Sequence, residues 1–421
     1  MNNRTRRTRL SRRDFLVKSG QALALVLFTG CSPAVTPTGP QPRAATVTTQ
    51  PPATASPVDT QAAMPPAKAT ATLTPDAPLA VKIGQMILVG FRGLTLTEDN
   101  PIVRDLRERH IGAVVLFDYD VPSNSPVRNI QSPAQLKALT AALQANATIP
   151  LLISVDQEGG QVVRLKEKFG FPPTVSEQYL GAHNDPALTQ QNAESMARSL
   201  AEAGVNLNLA PVVDLNTNPD NPVIGKLERS FSADPDVVAR HALAEIEAHH
   251  QYGVLTTLKH FPGHGSSHSD SHRGFVDVTN TWSAVELEPY KRIIAAGECD
   301  AIMTAHIFNS KLDPQMPATL SQPIITGILR NELHYDGVVI SDDMQMGAIS
   351  LYYGLETAVL SAIEAGVDML SIANNLPFFF DPDIAGRVIG IITQQVKDGK
   401  LDEARIDQSY QRIRRLKARL H

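Results

Sequence analysis

The sequence predicts an α/β fold, a single (β/α)8 TIM-type barrel preceded by a signal segment and a disordered linker. Eight short aliphatic and β-branched runs recur along residues 80–421, and each ends in polar or charged residues. Their near-continuous apolar character is typical of strands that are buried on both faces. Segments with apolar residues spaced by three and four lie between them, and eight alternations favour a barrel over a doubly wound sheet.

The eight predicted strands are, in order, Ile83–Val89, Ala113–Phe117, Leu151–Val155, Val205–Leu209, Val254–Leu258, Ala301–Thr304, Gly337–Ile340 and Val367–Ile372. The clearest predicted helices are Ala187–Ala203, Pro235–Tyr252, Glu356–Ala365 and Glu403–Leu420. The second of these follows Asp234 at a capping position and has proline in its first turn, and the third is closed by Gly366.

Residues 1–31 are predicted to be an export signal. Arg12-Arg13 precedes Phe15-Leu16 and an apolar run over 22–28, an order that resembles a twin-arginine signal. The run has about seven apolar residues, too few for a membrane span, which needs about 20. Phe28-Thr29-Gly30-Cys31 resembles a lipoprotein cleavage box. We therefore expect an exported protein, at the cell surface or extracellular, whose membrane contact is a lipid on Cys31.

Residues 32–79 are predicted to be a disordered linker. The stretch from Pro33 to Pro78 holds 11 of the 30 prolines and ten threonines, with almost no aromatic or large aliphatic residue. Such a composition buries too little apolar surface to offset the entropy lost on ordering. The linker would hold the barrel away from a membrane.

Charge and cysteine content exclude other classes of protein. The formal net charge is −5 for the whole chain and −11 without its first 30 residues. Nucleic acid is therefore excluded as a partner, since little would neutralise its phosphates. Two cysteines exclude a disulfide-rich scaffold and a four-cysteine zinc site. Cys299 is expected to behave as a small, buried apolar residue. The protein is expected to be a monomer.

Five of the predicted strands deliver ionisable residues at their carboxyl ends. These ends carry Asp156-Gln157-Glu158, Pro211 to Asp214, Lys259-His260, His306 and Asp342-Asp343. Active sites of barrels lie at this face, so the pattern predicts one polar rim. Asp214 and His306 belong to it, but no role is assigned to them.

A histidine-rich segment follows the fifth strand. His260, His264, His268 and His272 recur at intervals of four, a spacing that would suit a metal site on a helix. Pro262 and two neighbouring glycines argue against a helix, so we predict a loop over the barrel mouth. A metal-dependent hydrolase built on these histidines remains an alternative.

An acid/base pair and a nucleophile can be proposed from the same stretches. Asp270 and His272 are close enough in the chain to hydrogen-bond, as suits a residue that gives and then takes a proton. Asp342 is the leading candidate for a nucleophilic carboxylate, with Asp343 as its rival. Strand alternation predicts that only one of the two points to the barrel axis.

These motifs together resemble the signature of family 3 glycoside hydrolases, in particular the β-N-acetylhexosaminidase branch. The resemblance runs from about Ile83 to Ile372. Its motifs are Asp156-Gln157-Glu158-Gly159-Gly160, Asn221 to Gly225, Arg229-Ser230-Phe231, Lys259 to Gly265, Asp270-Ser271-His272 and Ser341 to Met344.

The resemblance implies a retaining double displacement without cofactor or metal. Asp342 matches the nucleophile, and His272 with Asp270 the acid/base dyad. The positions that match sugar-binding residues are Asp156, Arg164, Arg229, Lys259 and His260. Lys226-Leu227-Glu228 stand where relatives have one residue, so a two-residue insertion precedes Arg229.

The implied activity is removal of terminal GlcNAc from a carbohydrate substrate, either cell-wall fragments or chitooligosaccharides. A β-glucosidase or a glycosyl phosphorylase of the same family is an alternative. A non-catalytic, exported sugar-binding lipoprotein is another.

Overall fold

Eight parallel strands form the central sheet of the computed structural model, which describes residues 73–420. They are β1 (Ile87–Gly90), β2 (Ala113–Leu116), β3 (Leu152–Val155), β4 (Leu207–Asn208), β5 (Leu255–Phe261), β7 (Ala301–Thr304), β9 (Val338–Ile340) and β10 (Leu370–Ile372). The order in space is β10-β1-β2-β3-β4-β5-β7-β9. A parallel bridge between Ile340 and Met369 joins the two ends of this row. The predicted (β/α)8 barrel is confirmed.

All residues of these eight strands are buried. Helices cover one face of the sheet, and side chains of the neighbouring strands fill the other, so both faces are buried and mostly apolar. This explains why the strands are continuous apolar runs in the sequence. Two short strands, β6 (Val276–Asp277) and β8 (Ile307–Phe308), pair in parallel outside the barrel.

The α-helices of the described part alternate with the strands. They are α1 (Leu79–Gln85), α2 (Pro101–Arg107), α3 (Pro133–Asn146), α4 (Glu177–His183), α5 (Pro186–Glu202), α6 (Pro235–Gln251), α7 (Glu288–Ala295), α8 (Gly347–Ser350), α9 (Leu355–Ala365), α10 (Ile384–Lys397) and α11 (Glu403–Lys417). Pro323–Glu332 is a π-helix, and single 3₁₀ turns occupy Glu167–Phe169, Gly225–Leu227, Ala284–Leu287 and Ala318–Leu320.

Four helices begin in the same way, with a capping side chain followed by proline. Asn100, Ser132, Asp185 and Asp234 each accept a hydrogen bond from a backbone amide of the first turn. Proline is favoured at the next position because its φ suits a helix and because an N–H at this position would have no acceptor within the helix. The helix α9 ends at Gly366, whose φ of 118° is left-handed, as the sequence predicts.

Each predicted strand overlaps an observed one, and the first needs a correction. Residues 83–85 of the predicted strand Ile83–Val89 are the last turn of α1, and β1 begins at Ile87. A short apolar run fits a buried helix as well as a buried strand, so periodicity could not separate the two. The predicted signal, Cys31 and the linker up to residue 72 lie outside the described residues. Within residues 73–420, no helix is long and apolar enough to span a membrane.

Candidate active site

A cavity of about 480 Å³ opens at the carboxyl ends of the barrel strands. Charged and polar side chains from five strand ends border it together with apolar ones. Those used below are Asp156, Glu158, Arg164, Arg229, Lys259, His260, His272, Asp342 and Asp343. The structure thus brings together every predicted catalytic and sugar-binding residue except Asp270, which contacts the cavity through His272.

Lys259 lies at the centre of a buried charge cluster. Its Nζ donates to Asp156 Oδ1 at 2.8 Å and lies 2.5 Å from Glu158 Oε1. Burial alone would lower the pKa of this lysine, but the two carboxylates outweigh burial and raise it. The ammonium therefore stays charged, and the pKa of Asp156 is lowered despite its own burial because Lys259 and Arg164 face it.

Arg229 completes this cluster from the other side of Glu158. Its Nε donates to Glu158 Oε2 at 2.6 Å and its Nη2 to Oε1 at 2.8 Å. The Nη1 group donates to the carbonyl of Val223 at 2.8 Å. Burial opposes ionisation of Glu158, but Arg229 and Lys259 outweigh it and hold the pKa of this carboxyl well below its usual range. Two cations therefore share one buried carboxylate.

The insertion before Arg229 does not remove it from the cavity. Gly225–Leu227 forms a 3₁₀ turn, and Glu228 ends this turn at a φ of 58°. The amide of Arg229 then donates to the carbonyl of Ile224 at 3.1 Å. The extra residues are absorbed in the turn, and Leu227 itself borders the cavity.

Arg164 is held beside Asp156 by the loop that follows β3. Its Nη2 lies 3.5 Å from Asp156 Oδ2. The side-chain oxygen of Gln157 accepts from the backbone amides of Arg164 and Leu165, both at 2.9 Å. Gln157 therefore closes the loop and fixes where Arg164 enters the cavity.

His260 is oriented by Asp214, a rim residue to which the sequence assigned no role. The ring Nδ1 of His260 lies 2.7 Å from Asp214 Oδ2, and the amide of His264 donates to Asp214 Oδ1 at 2.7 Å. Asp214 is fully buried, yet His260 and His264 lower its pKa against the effect of burial. With Nδ1 engaged, Nε2 of His260 lies 3.4 Å from Arg229 Nη2.

Lys259 and His260 both border the cavity although they are adjacent in β5. Regular alternation would send one of them to each face of the sheet. The pairing of β5 with β7 shifts register between Leu258 and Phe261. This irregularity accompanies the placement of two consecutive side chains at one site, which the sequence pattern alone does not predict.

Asp342 and Asp343 have different surroundings at the end of β9. Burial would raise the pKa of Asp342, but His306, His260 and His272 outweigh burial and lower it. The Oδ1 of Asp343 accepts from the amides of Gln345 and Ala373 at 3.1 and 3.0 Å. Burial raises the pKa of Asp343 to about 6. Asp342 is therefore the better ionised of the two.

Both aspartates border the cavity, although alternation along a strand would point only one of them to the barrel axis. The chain leaves strand geometry immediately after Ile340, so alternation no longer governs residues 342 and 343. Their roles are separated instead by hydrogen bonding, because Asp343 is engaged by backbone amides of the next loop. His306 adds to this arrangement, and its Nε2 donates to the carbonyl of Asp343 at 2.9 Å.

His272 and Asp270 form a side-chain pair at the mouth of the cavity. His272 Nδ1 lies 2.8 Å from Asp270 Oδ1, and the amide of His272 donates to the same oxygen at 2.9 Å. Arg273 Nε lies 3.4 Å from Asp270 Oδ2. The His272 side chain is 64% exposed, so it borders both the cavity and solvent.

The four regularly spaced histidines separate in space. His260 and His264 are buried around Asp214, His268 is exposed, and His272 pairs with Asp270. The segment forms no helix after Phe261, as predicted from its proline and glycines. Among residues 73–420, no three His, Cys, Asp or Glu side chains are grouped so that they could hold a metal ion.

The sequence placed Glu158 on the polar rim without a role, and the structure makes it the shared partner of Lys259 and Arg229. The sequence held a sign of this role. Glu158 stands two residues after Asp156 in the motif that follows a strand, and side chains two residues apart in an extended chain point to the same face. The sequence also gave no indication of Asp118 and Lys166 as site residues. Both border the cavity, and they form an ion pair at 2.6 Å. No sequence pattern predicts that pair, because Lys166 lies 48 residues after Asp118 in the chain.

Comparison with known families matches nearly the whole described part of the chain. Residues 78–416 match the family model described as the glycosyl hydrolase family 3 N terminal domain. The chain is 34% identical over 342 residues to Beta-hexosaminidase A of Pseudoalteromonas piscicida, covering 76% of this chain and 55% of that protein. It is 36% identical over 273 residues to Beta-hexosaminidase of Tolumonas auensis, covering 64% of this chain and 78% of that one.

Solved structures agree with this result. A family 3 β-N-acetylglucosaminidase from Paenibacillus sp. str. FPU-7 superposes with a TM-score of 0.74 at 36% identity, over 82% of this chain and 62% of that one. A β-N-acetylhexosaminidase from Beutenbergia cavernae superposes with a TM-score of 0.70 at 30% identity, over 82% of this chain and 99% of that one. The chain therefore spans little more than half of some relatives and nearly all of others.

Proposed function

Because the chain belongs to glycosyl hydrolase family 3, we propose that it is a retaining exo-β-N-acetylglucosaminidase. One observation carries the proposal: an ionised carboxylate, a histidine–carboxylate dyad and a fixed cluster of charged donors and acceptors border the same cavity. The printed names of its relatives, β-hexosaminidase and β-N-acetylglucosaminidase, support GlcNAc as the sugar.

Asp342 is the proposed nucleophile. Three histidines near its carboxylate lower its pKa, so it is ionised at neutral pH and able to attack. In the first step an Asp342 oxygen forms a bond to the anomeric carbon while the glycosidic C–O bond breaks. A covalent glycosyl–enzyme intermediate results, as in other retaining enzymes.

His272 is the proposed acid and base. Asp270 engages Nδ1, so Nε2 is the nitrogen that gives a proton to the departing oxygen in the first step. In the second step Nε2 takes a proton from water, and that water oxygen displaces Asp342 from the anomeric carbon. The product keeps the β configuration, and His272 regains its proton for the next cycle.

The charged cluster is proposed to bind the non-reducing sugar. Asp156, Arg164, Lys259, Arg229 and His260 present charged or polar groups to the cavity. Charge-assisted hydrogen bonds from such groups to sugar hydroxyls are strong and directional. Because the ion pairs already hold these side chains in place, little ordering entropy is lost when the sugar binds. Contacts that tighten as the ring flattens would favour the transition state.

The substrates we propose are cell-wall fragments and chitooligosaccharides with a terminal GlcNAc. The cavity of about 480 Å³ is large enough for one sugar residue and is open to solvent on the side of His272. This supports removal of single terminal residues rather than cleavage within a chain.

The test is release of p-nitrophenol from its β-GlcNAc and β-glucose glycosides. We expect turnover of the first and at least about tenfold lower kcat/KM for the second. A preference for glucose would replace the proposal by a β-glucosidase. No turnover of either by folded protein would favour a sugar-binding protein. Acceleration by phosphate, with release of a sugar phosphate, would indicate a phosphorylase.

Export, a lipid on Cys31 and a monomeric state are also proposed. The order of arginines, apolar residues and Cys31 at the N-terminus supports export and the lipid. Labelling with a fatty-acid analogue, compared between the natural chain and Cys31→Ala, tests the anchor. Light scattering of residues 73–421 would test the monomer.

A further inference from the structure

We propose that Phe275 and Tyr352 form a binding subsite for the leaving-group sugar, next to the acid/base dyad. This inference rests on the proposed function and adds to it the place where the second sugar of the substrate binds. The subsite is an exposed aromatic platform that takes the apolar face of a pyranose ring.

The platform consists of three aromatic rings, and the Phe275 ring contacts the other two. The ring centroids of Phe275 and Tyr352 are 5.8 Å apart, and those of Phe275 and Phe308 are 5.2 Å apart. Phe275 directly precedes β6 and Phe308 ends β8, and these two strands pair with each other. Two of the three rings therefore lie on or next to the small second sheet, and Tyr352 lies in the turn after α8.

The platform is also tied to the dyad through the backbone. The amide of Gly347 donates to the carbonyl of His272 at 3.2 Å, and the amide of Ala348 to that of Ser271 at 3.1 Å. Tyr352 follows this segment by one turn, and its amide donates to Ile349 at 3.1 Å. A Cβ on Gly347 would lie 2.9 Å from the His272 carbonyl oxygen. The segment that leads to Tyr352 is therefore held against the backbone of the dyad segment.

Exposure of these rings needs an explanation, because large aromatic side chains are usually buried. Phe275 is 42% exposed and Tyr352 is 50% exposed, and Leu351 beside them is 69% exposed. An exposed aromatic cluster beside the chain segment that carries the acid/base dyad is typical of a ligand-binding surface.

The chemistry of the reaction decides what occupies this surface. The acid must lie within hydrogen-bond distance of the glycosidic oxygen, about 2.6–3.2 Å. The leaving-group sugar is bonded to that oxygen, so it must lie beside His272 and outside the cavity that holds the first sugar. Phe275 is three residues from His272 in the chain, and aromatic faces suit the C–H groups of a pyranose. A second sugar is therefore the occupant that fits both position and chemistry.

The experiment compares a substrate whose leaving group reaches the platform with one whose leaving group cannot. N,N′-diacetylchitobiose leaves a whole sugar, whereas N-acetyl-β-glucosaminyl fluoride leaves a single atom. The variants are Phe275→Ala, Tyr352→Ala and both together, with the conservative Phe275→Tyr and Tyr352→Phe. Phe378→Ala is the matched control, because Phe378 is 98% exposed in the loop after β10.

We expect the double alanine variant to lose about tenfold or more in kcat/KM for the disaccharide. Its kcat/KM for the fluoride should stay within about twofold, and the conservative variants should restore most of the disaccharide activity. The control should cleave both substrates like the natural protein. Unchanged melting temperatures would exclude unfolding as the cause.

Equal losses on both substrates, or no loss on the disaccharide, would overturn the subsite and leave the proposed function standing. The same holds if Phe378→Ala loses as much as the platform variants, or if the natural protein cleaves the fluoride alone. Failure of the natural protein to cleave either substrate would overturn the proposed function, and the subsite with it.

Discussion

Arg229 and Glu158 are 71 residues apart in the chain and meet in a two-bond ion pair, with Nε–Oε2 and Nη2–Oε1 distances of 2.6 and 2.8 Å. Glu158 also lies 2.5 Å from Lys259 Nζ. One buried carboxylate thus sets the positions of two cations that border the cavity. This relationship makes Glu158 a positioning residue for the proposed sugar site.

Glu158→Gln should weaken both stability and substrate binding. Two buried cations would lose a shared counter-charge, and breaking such a buried pair costs about 3 kcal/mol or more. We expect a matching loss in the free energy of unfolding by urea and a KM for the β-GlcNAc glycoside raised about tenfold. The exposed Glu228→Gln serves as the control and should change stability by less than about 0.5 kcal/mol. An unchanged KM would show that Glu158 does not position the site.

Asp342→Ala should abolish turnover of the p-nitrophenyl β-GlcNAc glycoside, with kcat lowered about 10³-fold or more because no covalent intermediate can form. Added azide should restore activity and yield the α-glycosyl azide, since a small anion would attack from the side of the missing carboxylate. Asp343→Asn is the comparison, because its carboxylate binds backbone amides. A larger loss in Asp343→Asn than in Asp342→Ala would reverse the assignment.

His272→Ala should slow substrates with poor leaving groups most. A p-nitrophenolate leaves without full protonation, whereas a sugar alkoxide needs the proton, so we expect a loss about 10²-fold larger on the disaccharide. Asp270→Asn should give a smaller loss with the same pattern, because Asp270 acts through His272. Steady-state kinetics on the two substrates measure this, and equal losses on both would contradict an acid role.

Stability should depend on pH through Glu286, which accepts from the amide of Gly265 at 3.1 Å. Burial raises its pKa from 4.5 to about 7. The folded protein therefore keeps a proton that the unfolded chain releases above pH 4.5, and the stability it contributes is lost as the pH rises toward 7. The difference in unfolding free energy between Glu286→Gln and the natural protein should change by about 1–3 kcal/mol across this range. Urea titrations from pH 4.5 to 7 measure it, and a constant difference would contradict the shift.

Chelation should leave activity unchanged. No three His, Cys, Asp or Glu side chains in residues 73–420 form a metal-binding group, and the proposed steps use only Asp342, His272 and water. We expect the same rate on the β-GlcNAc glycoside before and after dialysis against EDTA. Loss of activity on EDTA treatment that zinc restores would favour the metal-dependent hydrolase.

The barrel could be predicted because its strands are buried on both faces and therefore read as eight apolar runs. Their positions hold to within a few residues, and the error at Ile83 arose where a buried helix turn is as apolar as a strand. The rim was predictable for a related reason. Parallel strands end on one side, so Asp156, Lys259 and Asp342 had to share it.

Contacts between distant loops could not be predicted in the same way. Asp214 orients His260 across 46 residues, and Asp118 pairs with Lys166 across 48. Such pairs depend on loop paths, which no periodicity encodes. The register shift that accompanies the placement of Lys259 and His260 at one site is also a property of strand pairing rather than of the segment itself.

The sequence by itself determined the barrel, the face that carries the polar rim and the identity of the residues proposed for catalysis, because burial and motif order are local properties. The tertiary structure decided how those residues are held. It joined Glu158 to Lys259 and Arg229, separated Asp342 from Asp343 by their partners, and hydrogen-bonded the segment that precedes Tyr352 to the backbone of His272. These are distances between loops, and only the folded chain specifies them.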